Sequence, residues 1–176
     1  MKIVESTDRK ASLLRLCPNI FKGGDTVLYI GAKGERIDFG KEFSKCGDEI
    51  TIVEAFRENV LACRRMQFVS KVIHSDIRSF QPGKEKWDIV FWWHGPEHVY
   101  KSQIESSLSH IERMANKSVV LGCPWGVYGQ GAVGGNEFEE HKATIFPKDF
   151  ERLGYTVEAL GKENELGSNI TAVKYV

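Results

Sequence analysis

Continuous apolar runs of strand length alternate with helical patterns along this chain, and this alternation restricts the fold more than any other feature. The first run, Thr26 to Ile30, ends at Gly31. The later runs are Glu49 to Val53, Val72 to Ile73, Trp87 to Trp93 and Ser118 to Leu121. Strands that do not alternate between apolar and polar residues are covered on both faces, as parallel strands between two helix layers are. The sequence therefore predicts an α/β fold of the doubly wound class with a mostly parallel sheet.

Helical patterns fill the segments between these strands. The predicted helices are Gly34 to Cys46, Phe56 to Val69, Val99 to Ala115 and Pro147 to Leu153. In the third of them, Ile104, Leu108 and Ile111 recur at helical spacing, so one face is expected to pack on the sheet. We expect Pro96 and Glu97 to form the first turn of that helix.

Two further strands are predicted near the C-terminus, at Tyr155 to Leu160 and Asn169 to Val176. The segment between them has no room for a crossover helix, so they should pair antiparallel. The sequence therefore predicts seven strands. It also predicts one domain that spans residues 1–176, because a chain of this length suits a single core. Residues 1–24 are expected to form a helical cap over the sheet or the ligand, and residues 122–146 a Gly-rich substrate loop.

Composition excludes several classes of partner. The basic and acidic side chains number 24 each and are spread along the chain, which lacks the charge pattern expected for nucleic acid or an anionic membrane. No apolar run approaches the ~20 residues that cross a bilayer, and no secretion signal is recognisable. The scattered cysteines Cys17, Cys46, Cys63 and Cys123 fit buried thiols in a reducing cytosol. We therefore expect a cytoplasmic protein with a small-molecule substrate.

The loop that follows the first strand carries the first candidate binding residues. Gly31 and Gly34 lie where a parallel sheet meets the helix that follows, at the edge where open α/β folds bind ligands. Glycine permits a sharp turn, and the helix start offers N–H donors to a carboxylate. A tight turn without any ligand is the alternative explanation of the same glycines.

Acidic residues follow the next two strands. Glu54 ends the second strand about 20 positions after Gly31, a spacing at which a carboxylate reaches the two ribose hydroxyls of a nucleoside. Asp76 follows the third strand and has the chemistry to accept a hydrogen bond from an adenine amino group, while Ile77 frames the ring. Taken singly, Glu54 also fits a solvated surface charge, and Asp76 a turn residue.

These segments resemble the class I S-adenosylmethionine-dependent methyltransferases. The resemblance is carried by VLYIGAKGERI, ITIVEAF, HSDIRSF and WDIVFWWHGPEHV, which occur in the family's order and are followed by an antiparallel final strand pair. It extends from about Val27 to the C-terminus. It implies S-adenosylmethionine as the cofactor, a Rossmann-like sheet and methyl transfer as the activity.

The resemblance also implies roles for individual residues. It places Gly31 and Gly34 beside the methionine portion, Glu54 on the ribose, Asp76 at the adenine and His94 at the reactive end. The neighbouring residues Tyr29, Ala32, Ala55, Ile77 and Trp93 are expected to line the cofactor as well. The chain departs from the family at Tyr29, where an acidic residue is usual, and at Lys33, where glycine is usual.

His94 belongs to the stretch HGPEH, which formally matches the H-x-x-E-H order of some zinc proteases. Pro96 disfavours a helical conformation at Gly95, so His94 and His98 should not lie one helical turn apart. We therefore predict no metal site here. The preferred interpretation places His94 in the loop at the sheet edge, where it orients the substrate or accepts a proton. A packing role for His94 is the alternative.

The Gly-rich loop supplies the remaining catalytic candidates, Glu140 and His141. A long connection without regular structure inside a compact domain is commonly a lid or a binding loop. Its aromatic and amide side chains suit a sugar or another small polar acceptor, whose proton Glu140 or His141 would remove. A surface loop that binds another protein is the alternative.

Methyl transfer requires alignment of donor and acceptor more than covalent help, which fits a chain without a nucleophilic triad. A competing hypothesis is a non-catalytic module that binds a nucleoside or another protein with the same fold. An NAD-dependent oxidoreductase is a weaker alternative, because the segment after Gly31 lacks the G-x-G-x-x-G order.

Overall fold

The strands form a single sheet in the computed structural model, which describes residues 2–33 and 39–176. The strands are β1 Lys2–Val4, β2 Thr26–Ile30, β3 Glu49–Glu54, β4 Lys71–His74, β5 Trp87–Trp93, β6 Ala115–Cys123, β7 Thr156–Leu160 and β8 Asn169–Tyr175. The α-helices are α1 Arg9–Leu16, α2 Arg57–Cys63, α3 Ile104–Met114 and α4 Pro147–Glu151. Short 3₁₀ helices cover Gly40–Lys45, Pro96–His98, Lys101–Gln103 and Glu137–Glu139.

The order of strands across the sheet is β1-β7-β8-β6-β5-β2-β3-β4. The pairs from β6 through β5, β2 and β3 to β4 are parallel, whereas β8 runs antiparallel to both β6 and β7. The predicted doubly wound, mostly parallel sheet with an antiparallel final pair is therefore confirmed.

Within the part of the chain that the structure describes, the sheet has eight strands, so the predicted count of seven is wrong by one. The additional strand, β1, pairs parallel with β7, and Lys2 lies opposite Glu158. It is three residues long and largely exposed, so it lacks the apolar run by which the other strands are recognised. The expected helix within residues 1–24 is α1, which packs against β7 and β8.

Several helix boundaries differ from the prediction. Pro96–His98 forms a separate 3₁₀ turn, and Val99 has an extended backbone (φ −103°, ψ 154°), so α3 begins only at Ile104. The expectation that Pro96 and Glu97 begin α3 is wrong. The helix predicted over Phe56 to Val69 stops at Cys63.

In the helix predicted from Gly34 to Cys46, residues 34–38 lie outside the described residues, and Gly40–Lys45 is a 3₁₀ rather than an α-helix.

Successive residues of the central strands supply the cores on opposite faces of the sheet. Leu28, Val90 and Trp92 pack with the apolar face of α3. Tyr29, Phe91 and Trp93 belong to the other core, which includes Leu13 of α1 and Cys63 of α2. Coverage on both faces explains why β2 and β5 are apolar throughout.

No helix within the described ranges combines the length and the apolar character needed to span a bilayer. Cys17, Cys46, Cys63 and Cys123 are free thiols, and all of them are buried.

Candidate functional site

A crevice opens at the carboxyl ends of β2, β3, β4 and β5. Because these strands are parallel neighbours, the residues that follow them meet at one edge of the sheet. Gly31, Glu54, Asp76 and His94, each predicted from a different strand end, all line this crevice. Ala55 and Ile77 line it too, together with Trp92, Arg78, His98, Asn136, Phe138, Glu139 and Lys142. The side chains of residues 2–33 and 39–176 leave this crevice open.

Gly31 turns the chain out of β2 with a left-handed backbone (φ 76°), a conformation that residues other than glycine adopt only with strain. Its amide donates to the Val53 carbonyl at 2.9 Å, so the turn is tied to the end of β3. A Cβ atom at Gly31 would meet none of the described residues within 4 Å. The glycine is thus required for backbone conformation, and the space beside it is open. Gly34 lies outside the described residues.

Glu54 is only 4% exposed although it ends a strand at the crevice. One carboxylate oxygen accepts the Phe56 amide at 2.7 Å. Burial raises the pKa of the Glu54 carboxyl to about 7, because hydrogen bonds from neighbouring groups only partly offset the loss of hydration. A ligand that donates hydrogen bonds to this carboxyl group would favour its ionised form.

Asp76 holds Arg78 through both carboxylate oxygens. Nε of Arg78 donates to the two oxygens at 3.0 and 2.9 Å, and the Arg78 amide donates at 2.9 Å. Burial alone would raise the pKa of the Asp76 carboxyl, but the hydrogen bonds from Arg78 outweigh it and keep the pKa below its usual value. The guanidinium thereby fixes an ionised Asp76 at the rim of the crevice.

A second cavity, of about 430 Å³, adjoins the crevice. Gly31, His94, His98 and Glu139 line both spaces. The residues that line only the second cavity include Arg9, Tyr29, Lys33, Trp93, Glu97, Tyr128, Gln130 and His141. A molecule in the crevice would thus meet a molecule in the second cavity at the four shared residues.

Several predicted site residues lie away from the crevice. Tyr29 and Trp93 face the second cavity, and Trp92, their neighbour on the opposite sheet face, lines the crevice. Ala32 is fully buried, and its carbonyl faces the Cys63 thiol at 3.6 Å. Glu140 lines neither space, and its half-exposed side chain lies 3.9 Å from Lys142.

His94 lies in the loop after β5, as predicted, with an unusual left-handed backbone (φ 49°). Its Nδ1 lies 3.3 Å from a Glu97 carboxylate oxygen, and its Nε2 lies 3.1 Å from Nη1 of Arg9. Because a guanidinium can only donate, Nε2 accepts and Nδ1–H donates to Glu97. The imidazole is thereby oriented with its basic nitrogen toward the second cavity.

Glu97 is 2% exposed and lies in the 3₁₀ turn that follows His94. Burial raises the pKa of its carboxyl, but the hydrogen bond from His94 and the adjacent imidazole of His98 outweigh burial and lower the pKa. Its Oε2 has no hydrogen-bond partner among the described residues. A buried carboxylate with an unsatisfied oxygen is costly in a folded protein.

The Gly-rich loop folds over both spaces. Lys142 and Ala143 donate their amides to the Glu97 carbonyl at 2.8 and 3.1 Å. Lys33 reaches from the Gly31 turn to Glu139 at 2.8 Å. These contacts join the loop to the turns after β5 and β2, so it forms the outer wall of the site.

Arg9, Glu139 and His98 also line the site, although the sequence patterns do not predict them. Arg9 comes from α1, far from the other site residues in sequence, and only the docking of α1 brings it there. The sequence gives His98 no role, because Pro96 argues against the H-x-x-E-H helix in which His94 and His98 would act together. The spacing of HGPEH contains no signal for the approach of His141, which belongs to the loop.

The strand order and directions from β2 to β8 are those of the class I methyltransferases, and the chain has this fold. The sequence matches no protein-family model, and no curated protein matches it. Several solved structures with the same fold are named as methyltransferases.

DhpI in its complex with SAH superimposes with a TM-score of 0.68 at 19% identity, over 93% of this chain and 81% of that chain. The N-methyltransferase NodS from Bradyrhizobium japonicum WM9 gives a TM-score of 0.65 at 13% identity, over 96% of this chain and 94% of that one. The N-terminal domain of EvdMO1, solved in the presence of SAH and D-fucose, gives 0.64 at 15% identity, over 98% and 83%. At such identities the likeness establishes the fold, and the activity has to be argued from the site.

Proposed function

We propose that this protein transfers a methyl group from S-adenosylmethionine to a small polar acceptor. The observation that carries the proposal is the pair of adjoining spaces with Gly31, His94, His98 and Glu139 in common. A donor in the crevice and an acceptor in the second cavity would face each other across these residues. Such an arrangement supplies the alignment that methyl transfer chiefly requires.

The crevice offers groups suited to each part of the cofactor. Glu54, a carboxylate in the lining of the crevice, would accept both ribose hydroxyls. Asp76, held by Arg78, has lone pairs left for the adenine amino group, and Ile77 offers an apolar surface to the ring. The open turn at Gly31 would receive the methionine portion.

The chemical step needs an acceptor atom in line with the methyl group. The acceptor hydroxyl or amine loses its proton, its lone pair forms a bond to the methyl carbon, and the carbon–sulfur bond breaks. The electron pair of that bond stays on sulfur, which gives S-adenosylhomocysteine. The sulfonium is activated already, so the protein's task is to hold the partners and exclude water.

His94 is our candidate for the group that accepts the proton. Its Nε2 faces the second cavity, and Glu97 behind its Nδ1–H would stabilise the imidazolium that forms. Arg9 donates to the same Nε2, so an acceptor hydroxyl would replace Arg9 as the donor. Glu140 has no place in this step, because its side chain lines neither space.

The second cavity supports a small polar acceptor such as a sugar. Its volume of about 430 Å³ lies within the range of ordinary small-molecule sites. Tyr128, Gln130 and His141 present hydroxyl, amide and imidazole groups along its wall. Groups of this kind orient hydroxyl-rich molecules through hydrogen bonds.

Titration calorimetry with S-adenosylmethionine, S-adenosylhomocysteine and NAD tests the proposal. We expect binding of the first two and none of NAD. Binding of NAD alone would favour the oxidoreductase. Binding of no nucleoside would overturn the proposal.

Activity is tested separately by following release of S-adenosylhomocysteine with a panel of sugars and small amines. The matched variants are His94→Gln, which is expected to lose turnover while keeping cofactor affinity, and His74→Gln. His74 is exposed beside the crevice and lines neither space, so its variant should turn over normally. Equal turnover of wild type and His94→Gln would remove the proton-acceptor role.

A further inference from the structure

One group of metal-binding side chains occurs among the described residues, and it lies in the wall of the second cavity. It consists of Glu97, His98 and His141, whose potential ligand atoms all lie within 4.8 Å of one another. Glu97 and His98 come from the 3₁₀ turn after β5, and His141 comes from the Gly-rich loop. The fold therefore brings together ligands that are distant in sequence.

Both imidazoles are oriented as metal ligands usually are. Nδ1 of His98 lies 3.2 Å from the Glu140 carbonyl, and Nδ1 of His141 lies 2.8 Å from the Tyr128 carbonyl. A carbonyl only accepts, so each Nδ1 carries the proton. Each Nε2 is left with a lone pair, and a backbone carbonyl behind Nδ1 is the common outer-shell partner of a metal-bound histidine.

Glu97 supplies a second, independent observation. Its side chain is 2% exposed, and Oε2 has no hydrogen-bond partner within the described part of the chain. His94 already donates to Oε1, and His98 Nε2 lies 3.9 Å from that oxygen, too far for a hydrogen bond. A buried carboxylate is normally paired or bound to a metal, and Glu97 has an oxygen left to bind one.

We propose that Glu97, His98 and His141 bind one divalent transition metal of the zinc class. Two histidines and one glutamate are a ligand set of zinc sites that keep an open position for water or substrate. Zinc bonds of about 2.0 Å would draw the three ligand atoms closer together than the 4.8 Å that bounds their separations here. The open position faces the second cavity, which all three side chains line.

This assignment extends the proposed function, on which its catalytic part rests. An acceptor oxygen bound at the open position would lose its proton more readily, since a dication stabilises the oxyanion. The proton would pass to His94, which donates to the same Glu97. Metal binding itself does not depend on methyl transfer, so the two proposals can be tested apart.

The test is zinc binding to the full chain after treatment with a chelator. Titration with zinc chloride against a chromophoric chelator should give one high-affinity site per chain. Cobalt in place of zinc should give the visible absorption of a four- or five-coordinate site. Absence of a stoichiometric site would overturn the proposal.

Variants locate the site. His98→Gln and His141→Gln should each lower zinc affinity by more than the roughly 10–100-fold that loss of an outer-shell partner costs. His110→Gln is the matched control, because His110 lies away from both spaces and bonds only the Phe80 carbonyl. The assignment would be overturned if His110→Gln lost zinc affinity to the same extent, or if His98→Gln and His141→Gln bound zinc as tightly as the wild type.

Thermal melting of each variant, followed without metal, verifies that the chain still folds. S-adenosylhomocysteine binding measured without metal separates the two proposals. If the nucleoside binds and zinc does not, the metal site fails and the proposed function stands. If zinc binds and the nucleoside does not, the proposed function fails and the metal site stands.

Discussion

Burial of Glu54 predicts how cofactor binding should depend on pH. Its pKa is raised to about 7 by burial, whereas ribose hydroxyls bind the ionised carboxylate. Affinity for S-adenosylhomocysteine should therefore be constant above about pH 7.5 and fall toward about tenfold per unit below about pH 6.5. Calorimetry across this range measures the effect.

Glu54→Gln should weaken binding at high pH and remove most of this pH dependence. Glu49→Gln is the control, because Glu49 begins the same strand on the exposed surface. A pH profile that Glu54→Gln leaves unchanged would place the titrating group elsewhere.

The same substitution should stabilise the protein when no ligand is bound. A carboxyl whose folded pKa is raised above the usual 4.5 contributes stability below that value and loses it as the pH rises through about 7. Glu54→Gln removes the buried charge, and its side-chain oxygen can still accept the Phe56 amide. At about pH 8 we expect a gain of about 1–3 kcal/mol in the free energy of unfolding. Urea unfolding at about pH 5 should show little gain, and an equal gain at both pH values would contradict the argument.

The pairing of β5 with β6 depends on a close contact between a glycine and a tryptophan. A Cβ atom at Gly122 would lie 2.3 Å from the Trp93 ring, which is 1% exposed. Gly122→Ala should therefore lower the free energy of unfolding by about 1–3 kcal/mol or more, since a rigid buried ring cannot yield. Gly131→Ala is the control, because nothing lies within 4 Å of its position. Equal urea midpoints for the two variants would contradict this packing argument.

The strands most easily predicted are those buried on both faces. β2 and β5 have the predicted bounds, because runs such as WDIVFWW admit few other interpretations. β1 was missed because three exposed residues at a sheet edge acquire their structure from pairing with β7, not from their own pattern. The start of α3 differs from the prediction for a local reason: Pro96–His98 forms a separate 3₁₀ turn, and the extended backbone at Val99 ends it before Ile104.

The candidate site divides in the same way. Gly31, Glu54, Asp76 and His94 are predictable because each follows a strand, and parallel strands bring their ends together. His98 and His141 meet through tertiary contacts of the Gly-rich loop, among them the hydrogen bonds from the Lys142 and Ala143 amides to the Glu97 carbonyl. That approach depends on tertiary contacts, for which strand and helix patterns contain no signal.

At the scale of the whole molecule, a buried carboxylate ties the N-terminal segment to the sheet. Glu158 of β7 is 3% exposed and accepts Ser12 Oγ at 2.8 Å and Arg15 Nη2 at 2.7 Å, both from α1. Lys2 of β1 lies 3.3 Å from it. This network docks the helix that delivers Arg9 to His94, so the second cavity depends on it, whereas the crevice lies on the far strands.

Arg15→Met tests that dependence. Burial raises the pKa of the Glu158 carboxyl, but hydrogen bonds from Arg15, Ser12 and Lys2 outweigh it, so the pKa lies below its usual value. Glu158 thus contributes stability above its usual pKa that is lost as the pH falls through the lowered value. Arg15→Met should lower the free energy of unfolding by about 1–3 kcal/mol near pH 7. The loss is smaller than for a fully buried ion pair, because Arg15 is 38% exposed.

The loss in Arg15→Met should shrink near pH 4, where Glu158 in the variant becomes protonated. Arg152→Met is the control, since its exposed guanidinium lies 3.9 Å from Glu105 and should contribute at most about 0.5 kcal/mol. Urea unfolding measures both variants, and calorimetry should find S-adenosylhomocysteine affinity unchanged in each. A loss in Arg15→Met that is independent of pH would mean that α1 is held by its apolar face, with Leu13 rather than Glu158 fixing Arg9 beside His94.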